Sequence, residues 1–274
     1  MKDNYKLGAI LAMLGIIAGG LSLYFLADTY NIVIHTHFNA GEWEESNTVR
    51  LVYAVLGWLG VAAGALCATV LWGFLKQKPW AWFWGAVSAT ILLLSGFFPM
   101  IPAADSGLPT PTLWVFLLGA VLWFGMLLIG GVPGKVIALT FTAGLAYVLT
   151  FIDGVAPISK FQGTFQSPET FSPNVDTFWN GLYAMSQQVN WWGAAAWAVF
   201  IFAALKRKSW AVPVGIFAAT MSIFGGYPMG IHNVYEVQRF SMFLPAPILS
   251  TILLFVLLLP GVQTMLEDWQ GKQS

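Results

Sequence analysis

The chain has 274 residues, of which 58% are hydrophobic and only 9% are charged. A soluble domain carries about 25% charged residues, so this composition excludes a chain whose whole surface faces water and favours one embedded in lipid. The 12 basic and 12 acidic residues give a formal net charge of zero, which argues against a nucleic-acid partner, since such partners require a basic surface.

Eight apolar stretches are long enough to cross a bilayer, because about 20 helical residues span its hydrocarbon core. None of the eight contains Lys, Arg, Asp, Glu or His. Continuous apolar stretches predict an all-α integral membrane protein with about eight transmembrane helices, whereas a barrel would alternate apolar and polar residues. In chain order the stretches are 7–27, 51–75, 80–101, 112–132, 136–152, 182–205, 210–231 and 243–262.

Basic residues are distributed unevenly between the predicted loops. With the N-terminus inside, nine of the 12 Lys and Arg residues lie on the cytoplasmic side, in the termini and in the turns 76–79, 133–135 and 206–209. Positively charged residues concentrate in cytoplasmic loops, so both termini are predicted to be cytoplasmic in the cell (plasma) membrane. The outer connections 28–50 and 153–181 are longer, and long loops on one face often carry function.

Residues 75–97 resemble residues 205–227 at an offset of 130, with nine of 23 positions identical. The shared Lys-x-Lys-x-Trp-Ala pattern makes chance similarity between apolar helices a weak alternative. The match predicts two tandem four-helix repeats, 1–132 and 133–274, within one membrane domain. Because four is an even number of crossings, both repeats enter from the same side and are parallel.

The sixth apolar stretch departs from this symmetry. At the repeat offset the apolar residues 56–60 are replaced by the polar sequence Ser-Gln-Gln-Val-Asn at 186–190. Gln187 and Asn190 are three residues apart and share a helix face, so Ser186, Gln187 and Asn190, together with Tyr227, are predicted to line a polar substrate site near the outer surface. The alternative is that the helix starts near Trp191 and these residues belong to the loop.

Asp153 lies at the outer end of the fifth stretch and is the last candidate of the substrate site. Acidic residues within the membrane commonly mark ion or proton pathways. The alternative is a solvated carboxylate at a helix end.

All three histidines are predicted on the outer side. In an extended segment His35 and His37 would point to the same face, because side chains there alternate. Imidazole is a common ligand of Zn and Cu, so His35, His37 and His232 form a candidate outer metal site. The alternative is three solvated loop histidines, and no cofactor is required by the sequence.

These observations leave three hypotheses for function. The first is a permease or binding protein for a small neutral or amphiphilic molecule, since the spans lack buried charges. The second is a membrane-anchor subunit of a larger complex, whose outer loops bind a partner among other membrane subunits. The third is a membrane enzyme with the outer histidine metal site. We favour the first, under which no enzymatic activity is expected and the lipid bilayer is the expected partner.

The orientation is testable by cysteine labelling in a Cys67→Ala background, since Cys67 is the only native cysteine. Lys78→Cys and Lys208→Cys are expected to react with a membrane-impermeant maleimide only after the cytoplasmic face is opened. Labelling of either position in intact cells would show that the orientation is the reverse of the one predicted.

Overall fold

The structure is a computed structural model that describes residues 4–41, 43–155 and 177–271. Over these ranges the chain folds into helices and contains no strand. The helices are α1 (Tyr5–Asn39), α2 (Trp43–Leu75), α3 (Ala81–Phe97), α4 (Met100–Asp105), α5 (Leu113–Ile129), α6 (Gly134–Val155), α7 (Thr177–Leu205), α8 (Ala211–Val237), α9 (Pro245–Leu258) and α10 (Pro260–Gly271).

Among the described helices, six are long and apolar enough to cross a membrane, which confirms the prediction of an all-helical chain suited to several crossings. A seventh crossing results if α9 and α10, which meet at a bend of 73°, are taken as one span. Helix α5 is apolar but has only 17 residues. The predicted count of eight crossings is therefore not confirmed.

Contacts divide the chain into two compact units, Met1–Val132 and Pro133–Ser274. In the first unit α1 packs against α2, α3 and α5, while α3 also packs against α2 and α5. In the second unit α6 packs against α7, α8 and α9, while α8 also packs against α7 and α9. Small residues allow close approach of the helices: a Cβ atom on Gly19 would lie 2.6 Å from the Cα atom of Gly64.

The predicted outer loop 28–50 is wrong, because most of it is helical. Helix α1 continues to Asn39 and α2 begins at Trp43. Thr29 and Thr36 donate hydrogen bonds to carbonyls one turn earlier, so polar side chains within the segment do not interrupt the helix. At 1.5 Å per residue, α1 is about 50 Å long and exceeds the thickness of the hydrocarbon. In the other long connection, residues 156–176 lie outside the described residues.

Two tight turns place a residue with a side chain in the left-handed region. Gln77 follows α2 with φ 54°, and Arg207 follows α7 with φ 57°. The two turns form the same backbone hydrogen bonds, which close the end of the preceding helix as in a Schellman motif. The bonds run from Gln77 to Phe74 (2.9 Å), Lys78 to Gly73 (2.8 Å), Arg207 to Ala204 (3.2 Å) and Lys208 to Ala203 (2.8 Å).

Glycine adopts the left-handed conformation without a steric penalty, so Gln77→Gly is expected to stabilise the protein by about 0.5–1 kcal/mol in thermal unfolding in detergent. Arg207→Gly is the matched comparison. Arg207→Gly is expected to gain less stability or none. The Arg207 guanidinium stacks over Trp269, 3.9 Å from the ring centroid, and the substitution removes that contact. Equal gains at both positions would contradict a stabilising role for this stacking.

Candidate functional site

The polar patch predicted from the sixth apolar stretch lies on α7, which begins well before it at Thr177. Ser186, Gln187 and Asn190 are buried, with exposed fractions of 4%, 8% and 0%. The alternative in which the helix begins near Trp191 is therefore wrong. Polar side chains buried within a bundle are normally hydrogen-bonded, which makes their partners the informative feature.

The amide of Asn190 has no partner among the described residues. Neither its oxygen nor its nitrogen forms a hydrogen bond, although both atoms are buried. The amide faces Gly225 of α8, where an added Cβ atom would lie 2.7 Å from the Asn190 Cγ. The missing side chain of Gly225 therefore provides the space in which the amide sits.

Asp153 lies in the last turn of α6 and is 1% exposed. Its buried carboxyl oxygen Oδ2 also has no hydrogen-bond partner in the described part of the chain. The solvated carboxylate considered from the sequence is therefore wrong. Among the residues whose side chains the structure describes, no other Asp, Glu, Lys or Arg is buried.

Two contacts bring Asp153 and Asn190 to the same level of the second unit. The indole nitrogen of Trp191 donates to the carbonyl of Gly154 at 2.6 Å, and these are the chain neighbours of the two polar residues. One turn further in, a Cβ atom on Gly193 would lie 3.2 Å from Cγ2 of Thr150. Helices α6 and α7 are thus in register, so that the carboxyl and the amide lie at one depth.

We call five buried polar side chains of helices α6 to α9 the buried polar cluster: Asp153, Asn190, Thr150, Ser222 and Ser250. The Thr150 and Ser222 hydroxyls are 2.8 Å apart and link α6 to α8. Ser250 of α9 is 0% exposed, and its hydroxyl is buried without a partner among the described residues. Sequence reasoning missed these hydroxyls, although each is a polar residue within an apolar stretch and carries that signal.

The first unit contains a polar contact in which every group is paired. The Ser22 and Ser95 hydroxyls are 2.6 Å apart, and Ser95 donates to the Leu56 carbonyl at 2.9 Å. Because Ser95 uses its proton there, Ser22 donates to Ser95. Both serines pack over Gly60 of α2, so this contact joins α1, α2 and α3.

Tyr227 is hydrogen-bonded elsewhere in the second unit. Its hydroxyl lies 3.1 Å from that of Thr251 on α9, and Thr251 donates to the Pro247 carbonyl at 2.7 Å. Tyr227 therefore links α8 to α9, while Gly225 is the residue of α8 that faces Asn190.

The predicted histidine geometry is wrong in one respect. His35 and His37 lie on helix α1 rather than on an extended segment, so residues two apart point in different directions. His35 is exposed and His37 is buried. The Nε2 atom of His37 lies 3.0 Å from the Ser106 hydroxyl and 3.3 Å from the Pro102 carbonyl.

His232 belongs to an aromatic cluster at the other end of α8 from the basic turn. Its ring stacks on Trp179 with centroids 3.7 Å apart, and Nδ1 lies 3.1 Å from the Tyr183 hydroxyl. Across the residues that the structure describes, no three His, Cys, Asp or Glu side chains are grouped so as to hold a metal. A Zn or Cu site formed by His35, His37 and His232 stays a prediction.

Comparison of the chain with protein-family models, with curated proteins and with solved structures gives no match. The chemistry of the buried polar cluster is therefore the basis on which a function is proposed.

Because the Asn190 amide is unpaired among the described residues, replacing it is expected to raise the stability of the protein. Leu has nearly the shape of Asn and needs no hydrogen bonds, so Asn190→Leu is expected to raise stability by about 1–3 kcal/mol, the cost of burying unpaired polar groups. Ser95→Ala is the control with the opposite sign, because it removes a paired hydroxyl and leaves Ser22 and Leu56 short of a partner. Thermal unfolding in detergent measures both, and a loss of stability in Asn190→Leu would mean that the amide is already paired.

Proposed function

We propose that this multi-pass membrane protein is a permease or binding protein for a small neutral or amphiphilic molecule. The polar part of that molecule is held by Asp153 and Asn190. The single observation that carries the proposal is that three buried polar atoms of these two side chains have no partner among the described residues. Each such group costs about 1–3 kcal/mol if it stays unpaired, and a ligand that pairs them recovers that cost.

The chemistry of the cluster limits the ligand. The Asn190 amide offers both a donor and an acceptor, so it suits a hydroxyl, amide or similar group that does both. Within the described part of the chain, no buried Lys or Arg is available to hold an anion. A neutral molecule, or an amphiphile with a small polar end and an apolar remainder, fits these groups best.

The tandem repeat is part of the proposal. The turns after α2 and α7 form the same hydrogen bonds at an offset of 130. The helices of each unit also pack in the same order, with α1, α2, α3 and α5 matched by α6, α7, α8 and α9. Both observations support two four-helix repeats. Their parallel orientation is proposed from the even number of crossings in each repeat, and the cytoplasmic placement of both termini at the plasma membrane is proposed from the basic turns.

The repeat explains why the second unit carries the site. At the offset of 130, Gly60 corresponds to Asn190 and Ser95 corresponds to Gly225. The glycine and the polar side chain have therefore exchanged helices. In the first unit the Ser22 and Ser95 hydroxyls are paired, whereas the Asn190 amide of the second unit has no partner among the described residues. A structural role accounts for the first arrangement and a ligand for the second.

A specific observation favours the membrane-anchor subunit as a second candidate. Phe178, Trp179 and Leu182 of α7 and Ile231 and Tyr235 of α8 line an apolar groove of about 510 Å³. Such a contiguous apolar surface is what a partner helix would cover. A photo-crosslinking residue at Tyr235, which is 77% exposed, distinguishes the candidates, because a subunit of a complex crosslinks to one protein whereas an isolated permease crosslinks to lipid.

The ligand proposal is tested on the purified chain with a panel of neutral polar solutes, such as glycerol and urea, and of single-chain amphiphiles, such as monoacylglycerols and fatty alcohols. At least one member is expected to raise the unfolding temperature, since a ligand at 100 times its Kd stabilises by about 2.7 kcal/mol. The shift is expected to disappear in Asn190→Leu and to weaken in Asp153→Asn.

Ser95→Ala serves as the matched control and is expected to keep the ligand-dependent shift, because Ser95 belongs to the first unit. Uptake of the same molecule into proteoliposomes then separates a permease from a binding protein. If a panel member stabilises Asn190→Leu and the native chain equally, the buried polar cluster is not its binding site.

A further inference from the structure

The last described helix, α10, differs in kind from the spans. It bends away from α9 by 73° and is amphipathic, with Leu266 and Trp269 buried and Glu267 and Asp268 exposed. A short helix with one apolar and one charged face is typical of a segment lying along the membrane surface.

Hydrogen bonds attach α10 to the end of α7. The Trp269 indole donates to the Ala204 carbonyl at 3.0 Å, and the Gln270 amide donates to the Lys208 carbonyl at 3.0 Å. The Ala204 carbonyl already accepts the backbone N–H of Arg207 in the turn after α7, so the Trp269 indole is its second donor. Helix α10 is therefore a docked part of the second unit.

Between α10 and the start of α6 lies a cavity of about 440 Å³. That volume is within the range of small-molecule sites, about 300–1,000 Å³. Its walls include Pro133, Lys135 and Val136 from the start of α6, and Thr264, Asp268 and Trp269 from α10. The proposed ligand site at Asp153 is near the other end of α6, so the two sites are separate.

The two charged groups in the walls have opposite signs. Lys135 and Asp268 are both exposed, and in the described structure they do not form a salt bridge with each other. A ligand with only a negative charge would be attracted by Lys135 and repelled by Asp268, while a cation would meet the reverse. A ligand that carries both charges complements both walls.

We propose that this cavity binds the head group of a phospholipid with a primary ammonium, of the phosphoethanolamine type. The phosphate lies toward Lys135 and the ammonium toward Asp268, whose carboxylate accepts hydrogen bonds from the ammonium N–H groups. A trimethylammonium head group has no N–H to donate and is recognised by open aromatic faces. Here the Trp269 ring is already covered by the Arg207 guanidinium.

A lipid fits this cavity better than a soluble phosphate compound. Met265 and Val136 add apolar surface to the walls, and the amphipathic α10 is suited to the depth at which lipid head groups lie. The shared chemistry is a phosphate joined to an ammonium, and the experiment separates the two sources.

Native mass spectrometry of the full chain, delipidated in detergent, tests the proposal by titration with three lipids of identical acyl chains. The phosphatidylethanolamine is expected to bind about fivefold more tightly than the phosphatidylglycerol or the phosphatidylcholine, the size of effect that an exposed ion pair supplies. Asp268→Asn is expected to remove this preference, and Lys135→Gln to weaken binding of all three lipids.

Glu267→Gln and Lys78→Gln are the matched controls, since neither residue lines the cavity, and both are expected to keep the native preference. Equal binding of the three lipids to the native chain overturns the proposal without reference to any variant. So does a preference that survives in Asp268→Asn. Competition by glycerophosphoethanolamine as strong as that of the lipid would assign the cavity to a soluble ligand and overturn the lipid assignment.

Discussion

The structure depends on one constraint: within hydrocarbon, a polar group can be paired only by the protein itself or by a bound molecule. Helices satisfy their own backbones, and the residues that the structure describes form helices and no strand. Polar side chains follow the same rule. Thr29, Thr36, Thr90 and Thr142 donate back to their own helices. Ser88 donates to the Ala63 carbonyl on the neighbouring helix α2.

The exceptions to this rule are informative because they all belong to one unit. In the second unit Asp153, Asn190, Trp197 and Ser250 have buried atoms without partners among the described residues. The Ser22–Ser95 contact of the first unit shows that the chain is able to satisfy such groups with hydroxyls of matched geometry. Natural proteins accept lower stability at sites where function needs a group to be available, and the contrast between the units fits that explanation.

The ends of the helices illustrate a different solution at the membrane surface. Gln77 and Arg207 adopt left-handed conformations that glycine would adopt more easily. At Arg207 the side chain gains a contact with Trp269 that glycine lacks. The same turn anchors α10. The basic segment after α7 therefore both ends that helix and docks an amphipathic one. The cavity beside α10 follows from that docking.

Much of the architecture could be predicted from the sequence, because the period and length of apolar stretches depend only on local composition and bilayer thickness. Each predicted stretch is mostly helical, although 243–262 is divided by the bend between α9 and α10. The polar patch at 186–190 lies within α7, as its position in the sixth apolar stretch predicts. Helix ends were harder to predict. Helix α1 continues to Asn39 with the hydroxyls of Thr29 and Thr36 paired to its own carbonyls, whereas hydropathy detects only the part that suits hydrocarbon.

The contact partners of individual side chains could not be predicted from the sequence. Nothing in the composition shows that Asn190 faces Gly225, that Tyr227 turns to Thr251, or that His232 stacks on Trp179. Those pairings arise from the rotation and register of packed helices, which depend on many small side-chain contacts at once. The sequence by itself determined which residues are compatible with lipid, and only the tertiary structure decided which buried polar groups have no partner among the described residues.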